Sequence, residues 1–170
     1  MTIAVCTVMS HRRPPRLPAI CYRGRQRIFV TMCTFQRATV FSQAQHATTS
    51  RDQLLLTAMA YDVEVLAYCF MPDHLHALLE GLSDRADTAR CLAMFRQRSG
   101  YQYRQRTRRR LWQEGYLDRL LRCDDSVRAV VSYVVGNPVR AGLCEGAADY
   151  PHSGSTRYTV AQLIDGCALA

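Results

Sequence analysis

The chain has 170 residues, of which 48% are hydrophobic, which fits one domain with a real core and excludes a disordered segment. Its formal net charge is +8, and all 22 basic residues are arginine, since the sequence contains no lysine. A planar guanidinium suits phosphate, so the balance favours an anionic polymer as partner, although arginine-rich codon usage would also remove lysine.

Residues 1–25 read as a flexible basic arm. Met1 to Met9 is apolar but far short of the ~20 residues a membrane span needs, and it runs into His11-Arg12-Arg13-Pro14-Pro15-Arg16. Pro14, Pro15 and Pro18 discourage regular structure. The eight cysteines, Cys6, Cys21, Cys33, Cys69, Cys91, Cys123, Cys144 and Cys167, show no C-x-x-C spacing and several sit in apolar runs. They read as small buried hydrophobes in a reducing compartment, so a cytoplasmic protein with no membrane partner is expected.

From Arg27 the pattern becomes regular. Ile28 to Phe35 is β-branched and aromatic, which predicts a strand buried on both faces. Thr48 to Tyr61 reads as a helix whose apolar face is Leu54, Leu55, Ala58 and Met59. Val63 to Phe70 reads as a second strand, and the Pro72-Asp73 turn forces it to pair antiparallel with the strand that follows. Side chains two apart on a strand share a face, so His74 and His76 project side by side while Leu75, Ala77 and Leu79 face the core. Two imidazoles can share one divalent metal. The H-x-H spacing alone also suits an unliganded pair on a half-exposed strand, a zinc enzyme or a cupin-like iron site.

Ser83, Asp84 and Asp87 signal a helix start, and the helix is expected to run through Leu92 and Phe95 towards Tyr103. Its second half and the residues after it carry Arg96, Arg98, Arg104, Arg106, Arg108, Arg109 and Arg110, interleaved with Tyr101 and Tyr103 and with no acid between them. A run of charge can be a solvated face, but this one is a concentrated positive field suited to nucleic acid. Leu111 to Arg122 reads as a strand with a bend near Gly115, on which Tyr116 would pack or stack on a base. Asp124, Asp125 and Ser126 offer N-caps for a helix through Val127, Val130, Val131, Val134 and Val135, ended by Asn137-Pro138. Tyr133 and Asn137, four apart, share a helix face.

Four blocks occur in order: Met71-Pro72-Asp73-His74-Leu75-His76; Leu111-Trp112-Gln113-Glu114-Gly115-Tyr116; Tyr133-Val134-Val135-Gly136-Asn137-Pro138-Val139-Arg140-Ala141-Gly142-Leu143; and Tyr150-Pro151. Over about residues 25–155 this order resembles the Y1 transposases of the HUH superfamily, most closely the REP-associated tyrosine transposases related to the IS200/IS605 enzymes. The resemblance implies an α/β (α+β) domain at 26–150. It would be a ferredoxin-like antiparallel sheet with helices packed on it and the histidine pair on a central strand. It implies His74 and His76 as the metal pair, Tyr133 as nucleophile, and Asn137, where many relatives carry glutamine, as the residue completing the metal site. Asp73 stands where asparagine is more usual. Residues 151–170, with Arg157 and Tyr158, would form a tail able to fold over the active site.

The implied chemistry is cleavage and rejoining of single-stranded DNA beside REP-type hairpins, with Mg²⁺ or Mn²⁺ and a 5′-phosphotyrosine intermediate. The partner is hairpin-containing DNA, and monomer and homodimer are equally compatible with the residues. Two other classes fit parts of the pattern. A catalytically decayed hairpin DNA or RNA binder would be indifferent to Tyr133→Phe and give no covalent product. An unrelated metal hydrolase would turn over a small phosphoester without Tyr133.

Overall fold

A computed structural model of the chain describes residues 17–122 and 126–165. The elements run β1 (Arg27–Cys33), α1 (Ala44–Ala60), β2 (Val63–Met71), β3 (His74–Gly81), α2 (Thr88–Thr107), β4 (Leu117–Leu121), α3 (Val127–Val135), α4 (Asn137–Arg140), β5 (Ser153–Gly154) and α5 (Val160–Asp165). The strands form one antiparallel sheet in the order β4-β1-β3-β2-β5. The β-α-β-β-α-β succession in the order 4-1-3-2 is the ferredoxin-like split, here with a two-residue fifth strand on the β2 edge.

Two apolar layers cover the two faces. Ile28, Val30, Leu75, Ala77 and Leu79 pack under α1 and α2 with Leu54, Leu92 and Phe95. Leu66, Cys69, Met71 and Leu78 pack under α3 and α5 with Val130, Val131, Val134 and Leu163. Strand alternation in β2 is reset by a register shift between Val65 and Ala67. The extra residue is why Val63 and Val65 share the first layer with Tyr68 and Phe70, odd and even positions on the same face.

Several sequence expectations shift. α1 begins at Ala44, earlier than its apolar residues suggest. Its buried face is Ala47, Ser50, Leu54, Thr57 and Ala58, small residues that let it lie close to the sheet, while Met59 points to solvent at 77% exposure. The start of α2 is set by Asp87, whose carboxylate accepts from the Arg90 amide at 3.0 Å; Ser83 instead closes the preceding turn on the Arg85 amide. The strand expected over 111–122 is shorter. Gly115 takes φ 76° and breaks it, leaving a bridge between Trp112 and Thr34 upstream and β4 from Leu117. Tyr116 therefore lies outside the strand.

The basic arm expected through residue 25 is already packed from Leu17. Tyr22 is buried and its hydroxyl donates to Asp118, as does the Leu17 amide at 3.3 Å. Ser126 caps α3 by accepting from the Ala129 amide, whereas Asp124 and Asp125, the other two expected caps, lie outside the described residues. After residue 150 the chain continues into the same fold: β5 pairs Ser153 and Gly154 with Cys69 and Tyr68, and Leu163 is fully buried against α3. No helix among the described residues is long and apolar enough to cross a membrane.

Candidate active site

The β2–β3 hairpin turns at Pro72-Asp73 and starts β3 at His74, so both histidines lie at one end of a strand flanked on both sides. They share their face with Leu78 and therefore look towards α3. The β1–β3 register sets Thr31 directly opposite His76 and Cys33 opposite His74.

Each imidazole is held from behind through Nδ1. Asp73 Oδ1 lies 2.6 Å from His74 Nδ1, and Thr31 Oγ1 lies 2.8 Å from His76 Nδ1. An ionised carboxylate only accepts, so His74 carries a proton on Nδ1 and directs Nε2 away from Asp73. Asp73 is held in turn by Arg37, whose Nε is 3.0 Å from Oδ2 and whose Nη1 donates to Cys33 Sγ at 3.0 Å. Arg37 reaches back because it and Gln36 both adopt left-handed backbone, φ 55° each. Burial alone would raise the Asp73 carboxyl; its hydrogen bond to His74 and the Arg37 guanidinium outweigh that and hold it below the usual range.

The two Nε2 atoms face one another at 3.0 Å. Adjacent ligands of an octahedral divalent cation with bonds of about 2.1 Å also sit about 3.0 Å apart, so the spacing is one at which two imidazole nitrogens can share such an ion. Burial pushes the His76 imidazole down to about 3, with smaller contributions from His74, Arg140 and Arg37. It is therefore neutral, the form that ligates.

Tyr133 comes down on this pair from α3. Its ring meets His76 edge-on at 5.6 Å between centroids and Phe29 at 6.1 Å, and Phe29 stacks on His76 at 5.7 Å, so the three rings form one triangular cluster. Arg140 folds back from α4 so that its guanidinium lies 4.7 Å from the Tyr133 ring centroid, and it donates to the Tyr133 carbonyl. Asn137 is spent on the same helix end: Nδ2 donates to the Tyr133 carbonyl at 2.9 Å and more weakly to that of Val134 at 3.4 Å. Among the described residues no hydrogen bond joins Asn137 to either imidazole. The structure thus brings together His74, His76 and Tyr133, and leaves Asn137 one helix junction away.

The arginines divide. Arg96, Arg104, Arg108, Arg109 and Arg110 line a groove of about 790 Å³ with Tyr101 and Trp112, between α2 and the turn after it. Arg98 and Arg106 lie outside it, both exposed, with Arg106 donating to Thr49 Oγ1 at 3.2 Å. Arg96 is engaged with the Gln113 carbonyl at 2.6 Å and covers the Tyr116 ring at 5.6 Å. Tyr116 is 7% exposed, so of packing and base-stacking it has the packing role. The floor of the groove is tied to the histidine end of the sheet, because Phe35 and Gln113 exchange backbone hydrogen bonds with Leu111 and Cys33.

Thr31, Phe29, Arg37 and Arg140 belong to the site, and the first three are not visible in any single motif. Thr31 and Phe29 need the β1–β3 register, and Arg37 needs its left-handed turn. Arg140 had a signal: it follows Tyr133 by seven positions within one motif block, close to two helical turns.

A family model described as "Transposase IS200 like" matches residues 25–137. A Haemophilus influenzae protein named as a REP-associated tyrosine transposase is 28% identical over 119 residues, 63% of this chain and 67% of its own. The solved structure of a REP-associated tyrosine transposase bound to a REP hairpin matches with a TM-score of 0.64 at 19% identity, over 85% of this chain and 82% of that one. The crystal structure of a protein from Deinococcus radiodurans R1, named as a transposase, gives 0.50 at 18% identity, over 76% and 97%. At these identities the structural likeness shows the shared fold.

Proposed function

Since the chain belongs to the IS200-like transposase family, we propose that it cleaves and rejoins single-stranded DNA beside REP-type hairpins through a covalent link to Tyr133. The observation that carries this reading is the placement of the Tyr133 ring edge-on to His76, on a helix laid across the paired imidazoles. A divalent ion, Mg²⁺ or Mn²⁺, held by Nε2 of His74 and of His76 would place positive charge on the scissile phosphate as negative charge develops there. Asn137 would add its amide oxygen to that site while its nitrogen keeps the end of α3 closed.

The phenol oxygen of Tyr133 attacks phosphorus and the bond to the 3′ oxygen breaks. The phenol proton ends on the departing 3′ oxygen, directly or through solvent. The products are a 5′-phosphotyrosine and a free 3′-hydroxyl, and because one phosphoester replaces another the step reverses without ATP. Arg140 holds the ring over the site and offers a guanidinium to the phosphate. The groove arginines take the phosphates of the hairpin.

Incubating labelled single-stranded DNA containing a REP hairpin with protein and Mn²⁺, then running a denaturing gel, tests this. A covalent adduct should form with wild type and Tyr116→Phe and be absent with Tyr133→Phe and with His74→Ala/His76→Ala. An adduct that survives Tyr133→Phe, or hairpin binding with no adduct at all, contradicts the reading.

A further inference from the structure

The histidine pair looks towards α3, whereas the arginine groove lies against α2 on the other face of the sheet. One DNA molecule that engages both has to pass round the end of the sheet where β1 runs out, and residues 34–37 bridge the two sites there. Thr34 is bound to the histidine hairpin, its amide donating to the Asp73 carbonyl at 3.0 Å. The next residue is bound to the groove: the Phe35 amide donates to the Leu111 carbonyl at 2.8 Å, and Leu111 lines the groove beside Arg110. Two residues further on, Arg37 is back at the Asp73 carboxylate, 3.0 Å from Oδ2.

At this crossing Phe35 is 38% exposed, while Phe41, Phe70 and Phe95 are buried and Phe29 is half-buried. Its ring is held in place. The Arg110 guanidinium lies 5.3 Å from the ring centroid and is itself fixed, its Nε donating to the Trp112 carbonyl at 2.8 Å. Gln36 and Arg37 both take left-handed backbone, a costly conformation that turns the chain back towards Asp73 directly after Phe35. A ring steadied by a cation offers its exposed surface to another flat group. Bases inside a duplex have their faces covered by neighbours and an unpaired base does not, so such a ring selects single strand. We propose that Phe35 is a stacking platform for one unpaired base of the DNA on its way from the groove to the histidine pair. The inference rests on the reading of the chain as a single-strand DNA transesterase that acts beside hairpins.

The test is equilibrium binding, in EDTA, of a REP-hairpin oligonucleotide with single-stranded flanks, of the same hairpin without flanks, and of flanked hairpins carrying one abasic site at each flank position in turn. Wild type, Phe35→Ala and Phe35→Trp are compared, with amide spectra of each variant to check the fold. Phe35→Ala should bind the flanked hairpin about 10- to 100-fold more weakly and the flankless one as wild type does, and Phe35→Trp should recover most of the loss. At one flank position the abasic site should weaken binding by wild type and have no further effect on Phe35→Ala, because the two changes remove the same contact. Equal losses on flanked and flankless hairpins, or abasic losses that add to Phe35→Ala at every position, overturn the proposal. A wild type that prefers neither hairpin over an unstructured single strand of the same length brings down the hairpin reading and the proposal with it. A wild type that keeps that preference while Phe35→Ala binds every probe as tightly sinks the proposal alone.

Discussion

At the scale of single residues, the charge beside His74 is what distinguishes this site. Asp73 both accepts from His74 and is clamped by Arg37, so one carboxylate fixes the direction of the first imidazole. Asp73→Ala should weaken Mn²⁺ binding about 10- to 100-fold in calorimetry with an unchanged amide spectrum; unchanged affinity would show that His74 needs no such support. His76 makes a pH prediction. Its folded-state value of about 3 lies below the 6.5 of an unfolded histidine, chiefly because it is buried. Above pH 6.5 the ring is neutral in both states and its contribution to stability is complete. Below 6.5 the unfolded chain takes up a proton that the folded one refuses, so stability falls by at most about 1.4 kcal/mol per pH unit on the way down to about 3. Urea unfolding between pH 7 and 4 should therefore show a smaller loss for His76→Gln than for wild type; parallel curves would contradict the burial argument. The histidine pair was legible as two residues on one strand face. Their partners were not, because Thr31 and Arg37 arrive from a different strand and turn.

At the scale of elements, the site depends on how α3 ends. Gly136 leaves room for Arg140 to fold back: a Cβ there would stand 2.8 Å from Arg140 Nη1 and 2.9 Å from the Ser132 carbonyl. Gly136→Ala should displace Arg140 from the Tyr133 ring and slow adduct formation by about 10²-fold, the scale expected when a reacting group is misplaced by about 1 Å. Kinetics of adduct formation measure this, and a wild-type rate would mean that the junction does not hold the tyrosine. The periodic elements were readable: β1, the β2–β3 hairpin, α2 and α3 follow their hydrophobic patterns. β5 and α5 were not, since a two-residue strand and a six-residue helix carry no period and exist through docking on β2 and α3. Tyr133 and Asn137 do share a neighbourhood, but Gly136 and Pro138 divide the helix between them and send Asn137 to cap α3. A spacing of four is visible in the sequence; the side chain's turn back onto the α3 carbonyls is not.

At the scale of the whole molecule, histidine pair and basic groove sit on opposite faces of one end of the sheet, joined by hydrogen bonds between 33–35 and 111–113. With a net charge of +8, DNA affinity should fall steeply with salt. Replacing Arg104 and Arg108 by alanine should flatten the log–log salt dependence of hairpin binding, its slope falling by roughly one for each guanidinium that meets a phosphate. The same change at Arg98 and Arg106, outside the groove, should leave the slope near wild type; equal effects from the two pairs would mean the surface acts only through its total charge. Seven arginines were visible as a cluster, but only folding sorts those that converge from those that radiate.

Tyr133 is the proposed nucleophile, and the place where the DNA becomes attached tests it without intermediary. Trypsin should release residues 129–140, bounded by Arg128 and Arg140, as a peptide whose single tyrosine is Tyr133. After reaction with a REP-hairpin oligonucleotide in Mn²⁺ and digestion of the DNA, mass spectrometry should find this peptide carrying a nucleotide through a 5′-phosphate on that tyrosine. The modification on another tyrosine, or an unmodified 129–140 peptide from protein that has cleaved the DNA, would contradict the account.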